Sequence, residues 1–395
     1  MKKTPKVLLI VFLFVCAVGA TFLITLHEVQ RWYAPSYDSP ATDKIAEIMD
    51  YMDYFFIDEY DENEMADAAA AALVEASGDR WSYYLSAEEY KDYQELAANA
   101  YVGIGVTITA SKEAGGMVIE TVTAGGPADE AGIRVGDVIT AVDGQATLPL
   151  GVDGTRDVVR GEAGTSVVLT LLRDGETQNV EVVRASIETA VAECELLDGD
   201  IGYVTILNFD ERCASETIAC VQQMLDAGAK ALLFDVRFNG GGYQEELVKV
   251  LDYLLPEGIA FHSVDYAGEE ETEYSDAACV DVPMAVLVNE DSYSAAEYFA
   301  AALQEYGVAT IVGSKTVGKG NFQIGFPLSD GSFLNISTGK YFTPDGKSLT
   351  DVGITPDVEL ELSDEEYARL YYSQLAQEDD VQLQAALAVL REKIA

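Results

Sequence analysis

The stretch 283-PMAVLVNEDSYSAAEYFAAALQEYGVATIVG-313 runs from an unbroken apolar segment through a short polar turn into a run of helix formers. It ends at Gly307 and returns to a β-branched apolar segment. An apolar run with no polar alternation reads as a strand buried on both faces, and a strand-helix-strand order with such strands reads as a parallel α/β unit. Upstream, the pattern repeats. "IGYVTILNF" (201–209) and "KALLFDVRF" (230–238) read as strands, each followed by a helix, "SETIACVQQMLDAG" (215–228) and "YQEELVKVLDYLL" (243–255). The C-terminal half is therefore expected to be an α/β domain.

The texture differs elsewhere. Between residues 101 and 184, short glycine-punctuated strands follow one another, among them "YVGIGVTITA", "GDVITAVDG" and "SVVLTLLRDG", which predicts a compact, mostly β domain. Residues 41–100 read as helical and acidic, and a capping-box pattern at Ser363 and Glu366 opens a helical tail. At the N-terminus, Lys2, Lys3 and Lys6 precede an uncharged run from Val7 to Leu26, about the 20 residues a spanning helix needs. A signal peptide cleaved after Ala20 is the competing reading, but the apolar run continues past it, which favours an uncleaved anchor. The lysines ahead of the run place the rest of the chain outside the cytoplasm.

A formal charge of -44 on 395 residues repels phosphate backbones, so nucleic acid is not an expected partner. Four cysteines follow the apolar run, Cys194, Cys213, Cys220 and Cys279. Their spacing fits no zinc pattern, and sequence cannot choose among their pairings.

Candidate chemistry centres on three segments. Ser292 and Ser294 stand before the helix of the opening stretch. Ser294 reads both as an N-cap and as a nucleophile at the positive end of the helix dipole, where the Ala295 N–H is a candidate oxyanion donor. The two histidines, His27 and His262, lie in no supporting motif, so a base must come from elsewhere. "GSKTVGKGNFQ" offers Lys315 and Lys319. Burial can leave a lysine neutral, and Gln323 can hold an amine without adding charge. "FDVRFNGGGYQEEL" leads a strand through three glycines into a helix, an arrangement that can expose N–H groups to an anion.

Together these segments resemble the C-terminal processing peptidases, also called carboxyl-terminal or tail-specific proteases. D-x-R-x-N-x-G-G is matched from Asp235 to Gly242, S-A-x-E by Ser294 to Glu297, and the G-K-G segment with a following glutamine by Lys319 and Gln323. The resemblance implies a serine endopeptidase with Ser294 as nucleophile, Lys319 as general base and Gln323 orienting the lysine. The N–H groups of Gly241 and Ala295 would form the oxyanion hole, with no metal or cofactor. It extends to "GDRWSYYL" (78–85), where Arg80 and Trp81 depart from the family pattern, and to "GKYFTPDGKSL" and "GITPDVEL".

The middle segment resembles a PDZ domain, which implies that Val102, Gly103, Ile104 and Gly105 receive a peptide C-terminus and that the peptide adds as a strand. Arg160 stands where relatives carry an arginine close to the protease core and is a candidate for coupling the two. The expected fold class is α/β and multidomain. A stub and membrane anchor (1–27) precede a helical region (28–98), a PDZ domain (99–184), an α/β protease core (185–361) and a helical tail (362–395). The expected partners are protein or peptide substrates with free C-termini, and the membrane through the N-terminal helix. Whether a homo-oligomer or an activating partner takes part stays open. The competing function is a catalytically silent, peptide-binding PDZ scaffold.

Overall fold

The computed structural model describes residues 39–197 and 200–395. The expected anchor lies outside the described residues, among which no helix is long and apolar enough to cross a membrane. Residues up to 68 and residues 69–395 form separate compact units. Helix α1 (Pro40–Phe55) belongs to the first, and α2 (Glu62–Glu75) runs across the division.

In the second unit, β1 (Tyr83–Leu85) and α3 (Ala87–Ala97), the latter closed by a Ser86–Glu89 capping box, lead to β2 (Ala100–Gly103). A β lobe follows, built from β3 (Val106–Ser111), β4 (Gly116–Val122), the short α4 (Pro127–Glu130), β5 (Val138–Val142), β6 (Gln145–Ala146), α5 (Thr147–Val159), β7 (Ser166–Arg173) and β8 (Glu176–Val183). Its sheet has the order β3-β4-β5-β7-β8, with β6 on β5, and encloses a core that includes Met117, Ile119, Ile139, Leu169 and Leu171. β9 (Ala185–Glu188) leaves the lobe by pairing antiparallel with β2.

The larger lobe carries the expected α/β pattern. β10 (Ala192–Leu197), β11 (Ile201–Ile206), α6 (Cys213–Asp226), β12 (Ala231–Asp235) and α7 (Gln244–Leu254) come first. They are followed by the hairpin β13 (Gly258–Asp265) and β14 (Glu270–Ser275), then β15 (Met284–Val288), α8 (Ala295–Glu305) and β16 (Ala309–Gly313). A second hairpin-like pair, β17 (Asn321–Pro327) and β18 (Phe333–Phe342), precedes β19 (Val358–Glu359), α9 (Asp364–Tyr371) and α10 (Val381–Ile394).

The main sheet runs β10-β11-β12-β15-β16-β19 and is parallel from β11 onward. Every residue of β12 and β15 is buried, as the apolar sequences of β15 and of Ala231 to Phe234 require, and Asp235 at the end of β12 is buried paired with Arg237. Alternate residues face two cores. Leu232, Phe234, Met284 and Val286 pack with α6, α7 and α8, while Ala231, Leu233, Ala285 and Leu287 pack with Leu383, Ala386, Leu387 and Leu390 of α10. The tail helix therefore covers the second face of the sheet.

A separate sheet, β1-β18-β13-β14 with β17 on β18, brings β1 against a strand some 250 residues later in the chain, with Tyr83 opposite Asn335. This pairing holds the "GDRW" turn beside the lysine segment.

Candidate active site

The two serines have different surroundings. Ser292 is fully buried; its hydroxyl donates to the Val236 carbonyl at 2.8 Å and accepts from the Asn289 N–H at 3.0 Å. It knots the turn after β15 and has no route to a substrate. Ser294 sits at the head of α8 with φ 60° and ψ -123°, a region that non-glycine residues rarely occupy. A strained strand-to-helix turn of this kind lifts a hydroxyl out of the chain path, and such strain costs about 1–3 kcal/mol unless its surroundings hold it.

Glu297 is what holds it. Its carboxylate is fully buried and takes N–H groups from Ser294 (3.2 Å), Lys319 (2.9 Å) and Gly318 (2.7 Å) and the Thr316 hydroxyl (2.5 Å). Burial raises this carboxyl above its ordinary range against the pull of those hydrogen bonds. One side chain thus ties the serine turn to the lysine turn. The sequence match contained Glu297 but assigned it no task.

The glycine loop completes the wall. Asn239 donates to the Ile206 carbonyl at 2.8 Å and accepts the Gly241 N–H at 2.8 Å. Gly241 has φ 93°, and a Cβ there would lie 2.6 Å from Ser294 Cβ and 3.0 Å from both Ser294 Oγ and the Ala295 nitrogen. Only glycine permits this approach. The structure therefore brings Gly241, Ser294 and Ala295 together. The Gly241 N–H is engaged by Asn239, whereas the Ala295 N–H heads α8 and has no acceptor within the helix.

Asp235 and Arg237 of the D-x-R pattern lie outside this cluster. The Arg237 guanidinium pairs with Asp235 at 2.6 Å and with Asp380 at 2.9 Å, and Tyr203 donates to Asp235 at 2.7 Å. Burial opposes the charge on Arg237, but the two carboxylates hold its pKa above the usual value.

Of the two lysines, Lys315 is exposed, whereas Lys319 is largely enclosed. Its amine lies 4.8 Å from the Trp81 ring centre and 5.9 Å from that of Tyr293. Burial pulls its pKa from 10.5 down to about 8, against the nearby Asp79 and Glu297 carboxylates and with help from Arg80. Tyr341, fully enclosed, donates to the Lys319 carbonyl and lies beside the Ser294 hydroxyl. Gln323 lines the same cleft, but its amide donates to the Asn321 carbonyl (3.1 Å) and the Ser337 hydroxyl (3.0 Å) rather than contacting Lys319. The His262 Nε2 lies 3.9 Å from the Glu270 carboxyl group, and His262 is absent from the cleft lining.

The cleft of about 1160 Å³ is shared by Ser294, Lys319, Gly241, Trp81 and Tyr341, and extends past Tyr83, Tyr93, Tyr243 and Asp210. Burial, with Glu211 adding to it, pushes the Asp210 carboxyl up to about 6.

In the β lobe, Val102 and Gly103 are taken up by pairing with Ser186 and Ala185 of β9, and Ile104 is buried in the lobe core. Gly105, with φ 78°, turns the chain into β3, the edge strand of its sheet, beside α5. The edge strands of this sheet are β3 and β8, and of the four expected residues Gly105 adjoins the β3 edge, its carbonyl accepting the Thr123 N–H at 2.9 Å. Arg160 lies over the Tyr101 ring at 5.8 Å, on the β2 connection between the lobes.

Residues 200–360 match the model of peptidase family S41, and residues 118–173 match that of the PDZ domain. The chain belongs to peptidase family S41. "Carboxy-terminal processing protease CtpA" of Bacillus subtilis (strain 168) is 29% identical over 377 residues, spanning 94% of this chain and 80% of that protein. "Probable CtpA-like serine protease" of Staphylococcus aureus (strain COL) is 31% identical over 328 residues, spanning 82% and 66%. The crystal structure of a Bacteroides fragilis protein assigned to the S41 proteases shares the fold, with a TM-score of 0.51 at 17% identity over 92% of this chain and 96% of that one. This S41 member is a serine-type peptidase of mixed α/β architecture that carries a PDZ domain.

Proposed function

We propose that the protein is a membrane-anchored, extracytoplasmic endopeptidase that takes protein C-termini in its PDZ domain (99–184) and cleaves with a Ser294–Lys319 dyad in its protease core (185–361). The single observation that carries the dyad is the Glu297 carboxylate, which binds the Ser294 and Lys319 N–H groups together beside one cleft. A lysine with a pKa near 8 is substantially neutral at mildly alkaline pH and accepts the Ser294 proton as Oγ attacks the peptide carbonyl. The ammonium so formed returns that proton to the leaving amine. Water then hydrolyses the acyl-enzyme, with Lys319 again as base.

The Ala295 N–H is the oxyanion donor already free of a helical acceptor, and the Gly241 N–H joins it by exchanging Asn239 for the oxyanion. Gln323 reaches the lysine only by exchanging its present partners. The PDZ domain presents the β3 edge to an incoming strand, and Gly105 opens the loop that meets its carboxylate. The run Val7–Leu26, with lysines before it, supports the anchor and its orientation.

The test is cleavage of a denatured model protein by the parent, Ser294→Ala, Lys319→Ala and Ser292→Ala. Activity is expected to fall by several orders of magnitude in the first two and to persist in the third in proportion to its folded fraction. Proteolysis surviving in Ser294→Ala or Lys319→Ala removes the dyad; peptide binding without cleavage in the parent favours the silent scaffold.

A further inference from the structure

The Lys319 amine has no hydrogen-bond partner among the described residues; aromatic faces and charges surround it instead. The Trp81 and Tyr293 rings lie 5.6 Å apart at 32°, with the amine 4.8 Å from the first ring centre. The Arg80 guanidinium lies 4.2 Å from the same indole centre, so two cations share one ring. Asp79 closes the turn: its carboxylate accepts the Trp81 N–H at 3.1 Å and the Ser82 hydroxyl at 2.6 Å, while the Ser82 oxygen accepts the Ser337 N–H of β18 at 3.0 Å. The turn is thereby bolted to the sheet that carries the lysine segment.

Three charged groups face the amine. Asp79 and Glu297 attract a proton to it, and Arg80 repels one. Glu297 is already committed to the backbone of both catalytic turns, so the groups free to vary the field belong to the Asp79–Trp81 turn. The indole acts in two ways. Its π face attracts the ammonium, and its bulk keeps water off the amine, which favours the neutral form. Since burial is the largest influence on Lys319, removing the indole admits water and the second effect prevails.

We propose that the turn Asp79-Arg80-Trp81 is the positioning and tuning device of the catalytic lysine. Trp81, with Tyr293, seats the amine in a water-poor niche, and the opposed charges of Arg80 and Asp79 set the pH above which it can accept the Ser294 proton. This rests on Lys319 being the base.

The experiment measures kcat/KM against pH on the full-length protein in detergent, locating the acid limb for the parent and for Arg80→Gln, Arg80→Lys, Asp79→Asn, Trp81→Phe and Trp81→Ala, with Lys319→Ala as reference. Arg80→Gln is expected to move the limb upward by about half a pH unit, roughly a threefold loss below it, and more weakly at high salt. Arg80→Lys restores the parent limb, and Asp79→Asn moves it downward. Trp81→Ala moves it upward, with Trp81→Phe between it and the parent; Trp81→Phe carries this arm if the alanine variant does not fold.

Movements of opposite sign from adjacent residues of one turn are not produced by a merely structural role. Limbs that stay fixed, or that move the same way in Arg80→Gln and Asp79→Asn, overturn the proposal while an inactive Lys319→Ala leaves the dyad standing. An active Lys319→Ala with the parent's limb overturns the dyad itself.

Discussion

As the proposed base, Lys319 has to be chemically useful and structurally costly at once. A lysine whose folded pKa is about 8, against 10.5 unfolded, is disfavoured in the fold whenever it is charged. Below pH 8 both states are protonated and the cost is complete. Between pH 8 and 10.5 the unfolded chain binds more protons than the folded one, so stability rises with pH, and above 10.5 the cost is gone. Lys319→Met is therefore expected to abolish proteolysis yet stabilise the fold at pH 7 by up to about 3 kcal/mol. Urea unfolding of parent and variant should show that advantage shrinking as pH rises from 8 towards 10.5. An advantage independent of pH would mean better packing by methionine, with no relief of a buried charge.

At this scale Ser294, Lys319 and the glycine loop each read alone as an ordinary cap or loop, and only their combination, through the resemblance it carries, marked them as candidates. What singles out Ser294 from Ser292 physically, complete burial of one hydroxyl on the Val236 carbonyl, has no signature in sequence. The positions of Gln323, Val102 and Gly103 were also hidden, since their hydrogen-bond partners come from strands that sequence does not pair with them.

At the scale of elements, the α/β order could be read from unbroken apolar runs, and the small second sheet could not. The pairing of β1 with β18 joins short, half-exposed strands across most of the chain, so no local period announces it. The D-x-R pattern shows the same division between what is local and what is distant. Its glycines shape the site, while Arg237 pairs with Asp380, the residue that caps α10 by accepting the Gln382 and Leu383 N–H groups. The motif thereby fastens the helix that covers the second face of the main sheet. Arg237→Met leaves Asp235 and Asp380 buried without their counter-charge and should cost about 3–5 kcal/mol. Denaturant unfolding would measure the loss, and limited proteolysis should find cleavage within 381–394 first. A loss below about 1 kcal/mol would mean that the pair is replaceable by packing alone.

For the whole molecule, the dominant fact is a net charge of -44, reinforced in the cleft by Asp210 and Glu211. A substrate tail that docks by its carboxylate approaches against this field, and one with a basic body is drawn by it. Near the surface the repulsion acts over about a Debye length, which falls from roughly 30 Å at 0.01 M salt to 3 Å at 1 M. Two peptides with the same cleavage segment and free C-terminus, one flanked by aspartates and one by lysines, should therefore respond oppositely to salt. Raising ionic strength should increase kcat/KM for the acidic peptide and decrease it for the basic one, each by about tenfold or more, with the change lying in KM. The acid limb of the pH profile should also fall with salt, because screening removes part of the field that favours protonated Lys319. Desolvation at the lysine is local and unscreened, so the limb keeps well below the ordinary lysine value even when the field is gone. If instead salt leaves both peptides and the limb unchanged, the surface charge acts on solubility alone and the niche around Lys319 sets its proton affinity unaided.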